Sequence, residues 1–189
     1  MIFLHTSDWH LGATGGERDL WDDQKYFIDA ICGIVREKRV DAVLLAGDVY
    51  DRSVPAASAI GLYDYAMNRL CGELGVKVLA IAGNHDSAER LASCAGLLDK
   101  AGLYLQGAAQ REPRVVEFAD SQVFFLPWMT EEKIKSLYPE ERDGINGLTD
   151  AYRVAVNHMR EKFIPGKHHL LLSHAFITNA CLLYTSPSP

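Results

Sequence analysis

Residues 41–51 read DAVLLAGDVYD, so that a short apolar run ends at a glycine and is followed by aspartates. Residues 76–86, VKVLAIAGNHD, repeat this arrangement with asparagine, histidine and aspartate after the glycine. An apolar run of about six residues has the length of a buried β-strand and is far too short to cross a membrane. The two stretches therefore predict buried strands at 41–46 and 76–82, each with polar side chains at its carboxyl end.

Outward from these strands, amphipathic segments alternate with further apolar runs. Apolar residues that recur at three- and four-residue steps predict helices at 19–38, 56–73, 87–100, 130–137 and 148–163. Further strands are predicted at 2–6, 103–105, 114–118, 122–126 and 168–173, with an antiparallel hairpin at the 119–121 turn. Fully apolar strands separated by helices are typical of βαβ units, so we expect an α/β fold with a mainly parallel sheet covered on both faces.

The composition predicts one folded domain in a reducing compartment. The 189 residues are 48% hydrophobic and 23% charged, which excludes an intrinsically disordered chain. The four cysteines are widely spaced and form no C-x-x-C pair, which argues against a disulfide framework and a structural zinc site. No secretory signal is readable at the N-terminus, so we expect a cytoplasmic protein. The net charge of −6 disfavours a basic nucleic-acid-binding surface, and a phosphate substrate would need bound metal ions.

Residues suited to bind a metal ion follow four of the predicted strands. They are Asp8 and His10, then Asp48 and Asp51, then Asn84, His85 and Asp86, and finally His174. The carboxyl ends of strands in an open α/β sheet meet at one edge, so we expect these side chains to converge. A D-x-H triplet alone is a weak signal, because Asp8 could equally cap a turn, but four such strand ends in order favour a metal site. Carboxylate, amide and imidazole ligands suit Mn²⁺, Fe or Zn²⁺.

The motifs D-x-H, G-D-x-x-D and G-N-H-D, in this order, resemble those of the calcineurin-like metallophosphoesterases. The longer strings HTSDWHLG at 5–12 and GNHDSAERL at 83–91 are similar to the SbcD-type exonuclease branch of that superfamily. The resemblance covers residues 1–180 and implies a four-layer αββα sandwich with mixed sheets. It further implies hydrolysis of DNA phosphodiester bonds at ends and hairpins, in a complex with a Rad50/SbcC-type ATPase subunit.

The resemblance also implies how the site is built. Two divalent cations, Mn²⁺ in preference to Mg²⁺ or Fe, would be bound by Asp8 and His10 on one side and by Asn84 and His174 on the other. Asp48 would bridge them. Such a pair of cations supports in-line attack of hydroxide on a phosphodiester.

Other residues near these motifs receive separate roles. His85 would face the phosphate and protonate the leaving oxygen, with Asp86 or another nearby carboxylate fixing its tautomer. Arg52 is a candidate substrate contact, with an ordinary loop salt bridge as an equal alternative. We expect His5, inside the first strand, to be a buried structural histidine, and Trp9 to pack under the site in preference to stacking on a base.

One element of the family pattern does not follow the last strand. The resemblance implies a later G-H-x-H element whose two histidines each bind one metal, and none follows His174 in this sequence. We therefore expect a fold that is incomplete at its C-terminus, with residues 1–180 forming the N-terminal part of a nuclease domain and residues 181–189 a non-native or flexible tail. Two other interpretations stay open: a phosphoesterase for a phosphoprotein or a small cyclic nucleotide, and a catalytically inactive fragment.

Overall fold

The computed structural model describes residues 1–16 and 18–176, and the predicted tail at 181–189 lies outside them. The strands are β1 (Phe3–Thr6), β2 (Thr14–Gly15), β3 (Arg18–Asp19), β4 (Ala42–Ala46), β5 (Lys77–Ile81), β6 (Leu103–Gln106), β7 (Val115–Glu117), β8 (Ser121–Leu126) and β9 (His168–Ser173). The helices are α1 (Trp21–Lys38), α2 (Ala57–Met67), α3 (Ala88–Leu91), α4 (Ala95–Leu98), α5 (Glu131–Leu137) and α6 (Leu148–Arg160). Among the helices of this described part of the chain, none is long and apolar enough to span a bilayer.

The first sheet is parallel throughout and joins its strands in the order β1-β4-β5-β6. Helix α1 connects β1 to β4, and α2 continues through a π-helical segment at Asn68–Glu73 before β5. Every residue of β4 is buried, because helices cover one face of the sheet and a second sheet covers the other. Apolar runs without alternation form such doubly covered strands.

The second sheet is mixed, with the order β7-β8-β9. Strand β7 pairs antiparallel with β8 across a tight turn, in which the Phe118 N–H donates to the Ser121 carbonyl at 2.8 Å. Strand β9 pairs parallel with β8, and Leu126 lies opposite Ser173 at the end of that pair. This register places the residue after β9 at the same edge as the ends of the first sheet's strands.

Three apolar cores hold four layers together. Between the sheets, Leu44, Leu79 and Ile81 of the first sheet pack with Val123, Phe125 and Leu172 of the second. On the outer faces, α1 and α2 pack on the first sheet, and α5 and α6 pack on the second. Full burial of an aliphatic or aromatic side chain of this kind contributes about 1.5–3 kcal/mol. The α/β fold, built as an αββα sandwich with mixed strand directions, is confirmed.

The prediction of one continuous helix at 87–100 is wrong, because the structure has two short helices there, α3 and α4. The Ser87 hydroxyl accepts from the Arg90 N–H and so caps α3. Cys94 has a φ of 58°, in the left-handed region where a helical run ends. The hairpin of β2 and β3 was not predicted, because two-residue strands carry no hydrophobic periodicity.

Gln122 fixes the loop that leads from α6 into β9. Its side chain is buried on β8, where Nε2 donates to the Lys162 carbonyl at 3.3 Å and Oε1 accepts from the Ile164 N–H at 2.9 Å. Backbone groups that are partly withdrawn from water need such partners. The position of β9, and of His174 that follows it, therefore depends in part on this amide.

We expect Gln122→Leu to lower the free energy of unfolding by about 1–3 kcal/mol, because the Ile164 N–H and the Lys162 carbonyl lose their partner at nearly constant side-chain volume. Urea denaturation followed by circular dichroism measures the change. Gln110→Leu, at an exposed position, is the matched control and should leave stability within about 0.5 kcal/mol. Equal effects of the two substitutions would contradict the assignment.

Candidate metal centre

The ends of β1, β4, β5 and β9 meet at one cleft of about 480 Å³. It brings together six of the side chains that the sequence singled out: Asp8, His10, Asp48, Asn84, His85 and His174. Parallel strands end at a common edge, and β9 adds its end from the second sheet. The cleft is thus built from both sheets.

Asp48 lies at the centre of the cluster and is 4% exposed. Its Oδ1 accepts a hydrogen bond from the His85 N–H at 3.0 Å. Its Oδ2 lies 3.7 Å from His10 Nε2 and 3.5 Å from His174 Nε2. On the other side of His10, Asp8 Oδ1 lies 3.8 Å from the same Nε2. A carboxylate this deeply buried needs a positive partner, because an unpaired buried charge is costly.

The hydrogen bond of His174 fixes its tautomer. Nδ1 lies 2.7 Å from the Ala46 carbonyl oxygen, which can only accept, so Nδ1 carries the proton. In the neutral ring, Nε2 then presents a lone pair to Asn84 Oδ1 at 3.1 Å and to Asp48 Oδ2 at 3.5 Å. Three acceptor atoms therefore face one another, and a cation bound among them would satisfy all three.

His10 lies between two carboxylate groups. Its Nε2 faces Asp8 and Asp48, and the ligand atoms of these three residues lie within 4.8 Å of one another. Its Nδ1 is buried, has no hydrogen-bond partner among the described residues and lies 3.7 Å from Asp51 Oδ1. Among residues 1–16 and 18–176, His10, Asp51 and His85 form a second group of ligand atoms within the same distance. This set of carboxylate oxygens and imidazole nitrogens fits a divalent cation.

Three of the clustered residues have a left-handed backbone, which is rare outside glycine. The φ angles are 55° at Asp8, 42° at His10 and 51° at Asp48. The Asp8 N–H donates to the Gly47 carbonyl at 3.1 Å, and the His10 N–H donates to the Asp48 carbonyl at 3.0 Å. Such strain costs of order 1–3 kcal/mol per residue and persists only where the surroundings impose it. Here the bonds between the two loops impose it.

Two glycines leave room for this arrangement. A Cβ on Gly47 would lie 2.6 Å from His174 Nδ1, and a Cβ on Gly83 would lie 2.1 Å from Asp48 Oδ1. Gly47 also has a φ of 87°, which other residues rarely adopt. The glycine that ends each apolar run is therefore required by the close approach of the side chains around Asp48.

The hydrogen bonds of Asp86 differ from the one suggested for it, because they go to the main chain and not to the ring of His85. The Asp86 carboxylate accepts hydrogen bonds from three backbone N–H groups, at 2.8 Å from Gly83, 3.1 Å from Val49 and 2.9 Å from Tyr50. The chain turns tightly after Gly83, so the side chain of Asp86 reaches the N–H group of a residue three positions before it. Both oxygens of its carboxylate accept hydrogen bonds from the backbone.

His85 is oriented by a main-chain carbonyl instead. Its Nδ1 lies 2.9 Å from the Asp51 carbonyl oxygen, so this nitrogen carries the proton and Nε2 is left for a ligand or substrate. The hydrogen bond to Asp51 raises the pKa of His85, and the charges of Asp48, Asp51 and Asp86 add to the rise. The ring contacts His10 edge to face at a centroid distance of 4.9 Å.

The structure agrees with the expectation for one of the remaining residues, disagrees for a second and leaves a third as a prediction. Trp9 packs in the core at 5% exposure, as expected, and its Nε1 donates to Thr6 Oγ1 at 3.0 Å. His5 was expected to be buried, but it is exposed and lines the cleft, because β1 is an edge strand. Arg52 is exposed outside the cleft lining, with Nε 3.5 Å from Asp51 Oδ2, so its contact with substrate stays a prediction.

Sequence reasoning missed six residues that also line the cleft: Ser7, Ala46, Trp128, Ser173, Ala175 and Phe176. None of them has a side chain typical of a metal ligand, although Ser7 stands within the string at 5–12. Trp128 and Ser173 do share one signal with the residues that were found, since they stand at or just after the ends of β8 and β9. Position at the carboxyl edge of the sheets could therefore have identified them.

We expect Gly83→Ala to displace Asp48, because the new Cβ would lie 2.4 Å from the Asp48 backbone nitrogen as well as against its carboxylate. Calorimetric titration with Mn²⁺ should show at least about a 10-fold loss of affinity, as is typical when the supports of a ligand are disturbed. Gly33→Ala on α1, where a Cβ meets no atom within 4 Å, is the control and should leave binding unchanged. Unaltered binding in both variants would show that Asp48 is not held as described.

Comparisons with known proteins agree with this geometry. The family model described as calcineurin-like phosphoesterase matches residues 1–185. The chain is also 29% identical over 177 residues to the SbcD subunit of the nuclease SbcCD from Staphylococcus epidermidis, a match that covers 94% of this chain and 47% of that protein. The chain thus spans about half the length of this relative. A match along almost the whole chain, with a cleft of acceptor side chains at the sheet edge, places the chain in the calcineurin-like phosphoesterase family, a family of hydrolases that use divalent metals.

Proposed function

We propose that this protein is a metal-dependent phosphodiesterase that hydrolyses DNA, as an exonuclease and endonuclease subunit of the SbcD type acting at ends and hairpins. One observation carries the proposal: acceptor atoms from four strand ends surround the buried Asp48 carboxylate, with His85 beside them. The choice of DNA as substrate is supported by the similarity to a protein named as part of a nuclease.

We assign the ligands from the contacts of Asp48. Asp8 and His10 would hold one divalent cation, and Asn84 and His174 would hold the other. Asp48 lies between His10 and His174 and would contact both cations. Mixed oxygen and nitrogen donors suit Mn²⁺, with Mg²⁺ and Fe as alternatives. Such cations, when bound, supply positive charge to the phosphate oxygens and acidify a water molecule for in-line attack.

The chain's own residues complete the chemistry. The negative charge of Asp48 would offset repulsion between two cations, and its buried position excludes bulk water from that side. His85 would act as the general acid, because the Asp51 carbonyl holds the proton on Nδ1 and leaves Nε2 to deliver a second proton to the leaving oxygen. Arg52 would contact the substrate phosphate from the rim.

The surroundings of the protein are proposed on the same basis. A net charge of −6 gives little electrostatic attraction for DNA, so bound cations and a partner chain would contribute to the binding of a long substrate. We propose a complex with a Rad50/SbcC-type ATPase subunit in the cytoplasm, in which residues 1–180 belong to the nuclease domain. The similar protein is itself named as one subunit of SbcCD, which supports an assembly of more than one kind of chain.

The substrate class can be tested directly. With Mn²⁺ present, we expect cleavage of both linear DNA and a bis-aryl phosphodiester, since a nuclease site accepts the phosphodiester common to them. Release of acid-soluble nucleotides and of the coloured aryl alcohol measures the two rates. Hydrolysis of the bis-aryl compound alone, with DNA left intact, would overturn the nuclease proposal in favour of a phosphoesterase for a smaller substrate.

Substitutions of Asp48 and His85 are expected to have different effects on metal binding and on the rate of hydrolysis. Asp48→Ala should abolish both Mn²⁺ binding and hydrolysis, because it removes the residue that contacts both histidines. His85→Gln should keep Mn²⁺ binding but lower kcat by about 10²–10⁴-fold, the usual contribution of a general acid. Calorimetry and steady-state kinetics measure the two effects.

Asp143→Ala, an exposed acidic position outside the cleft, is the matched control and should change neither quantity. Normal turnover by His85→Gln would refute the role given to His85. Normal Mn²⁺ binding by Asp48→Ala would refute the ligand assignment.

A further inference from the structure

Two aromatic side chains line the cleft next to its acidic and histidine side chains. Trp128 and Phe176 line the same cleft as Asp48 and His174. Trp128 is 41% exposed and Phe176 is 96% exposed. Single exposed aromatic residues are ordinary on protein surfaces. These two differ because they border the group of atoms to which a phosphodiester would bind.

Trp128 is exposed although its backbone is anchored. Every other residue of 121–129 is buried, including Met129 at 3% exposure. The Trp128 N–H donates to the Ala82 carbonyl at 3.0 Å, and Ala82 begins the loop that carries Asn84 and His85. The indole is therefore held next to the cleft by the same main chain that positions two of the clustered side chains.

An aromatic ring next to the residues that would bind a phosphodiester is suited to stack on the neighbouring nucleobase. Every base has a π-face, and stacking on an aromatic side chain contributes affinity with little preference for sequence. Stacking also requires no positive charge, which matters in a protein of net charge −6 with Asp8 and Asp48 in the cleft. Base stacking would thus supply binding energy that the charge of this chain does not.

We propose that Trp128 stacks on a nucleobase adjacent to the scissile phosphate, so that the cleft selects nucleotides whose base is unpaired. The inference rests on the proposed function, because it takes DNA as the substrate. A base inside a duplex stacks on its neighbours and must leave them before it contacts a protein ring. Single-stranded or frayed ends are therefore the favoured substrates, and Trp128 is a specificity-determining residue.

The test compares two oligonucleotides that carry the same phosphates. One is single-stranded oligo(dT) and the other is the same strand with abasic residues at the cleaved end. With Mn²⁺, we expect KM of the wild-type full chain to be about 5- to 100-fold lower for oligo(dT), and we expect Trp128→Ala to lose this preference. Trp128→Phe should retain most of it, because phenylalanine keeps a π-face. The comparison is a double-mutant cycle, in which one change is Trp128→Ala and the other is removal of the base. A general loss of activity would affect both oligonucleotides equally and would leave the preference for oligo(dT) unchanged.

Trp21→Ala is the matched control, because Trp21 is 38% exposed and lies on α1 outside the cleft lining. It should behave as wild type. Fluorescence gives a second readout that needs no turnover: oligo(dT) should quench the emission of wild type and Trp21→Phe, and should leave Trp128→Phe unquenched.

Three results would count against the inference. Equal KM values of the wild type for the two oligonucleotides would overturn it, and so would a Trp128→Ala variant that keeps the preference for oligo(dT). A protein that hydrolyses a bis-aryl phosphodiester but neither oligonucleotide would instead refute the proposed function itself, and the inference with it.

Discussion

The carboxylate of Asp86 binds the loops of the cleft to one another. It accepts from the N–H groups of Val49 and Tyr50 after β4 and of Gly83 after β5. Hydrogen bonds to an ionised acceptor are stronger than neutral ones, and three of them oppose the cost of the left-handed backbone at Asp48. The positions of the clustered side chains thus depend on a residue that does not itself line the cleft.

Six of the side chains that meet in the cleft could be predicted from the sequence, but what each one contacts could not. Convergence follows from topology alone, because parallel strands end at one edge, and His174 could be added from the last strand. The partner of His85 could not be predicted, because adjacency in sequence suggested Asp86, whereas the contact is a carbonyl 34 residues away. Exposure of His5 depends on β1 being an edge strand, which strand order reveals and periodicity does not.

Main-chain carbonyl groups orient two of the histidines in the cleft. His174 Nδ1 contacts the Ala46 carbonyl at 2.7 Å, and His85 Nδ1 contacts the Asp51 carbonyl at 2.9 Å. Supporting groups of this kind fix the tautomer and the direction of the free nitrogen. Because the support is backbone, it is preserved when the side chains at 46 and 51 change, and it fails only when the loops themselves move.

The cleft takes His174 from the second sheet and its other clustered residues from the first. A cation held by residues of both sheets would bind only when the sheets are packed together. By mass action, a higher concentration of the cation would therefore stabilise the packed arrangement of the two sheets. The reverse coupling follows from thermodynamic reciprocity. A cavity opened between Leu44 and Phe125 in the intersheet core would weaken metal binding at the rim, although neither side chain lines the cleft.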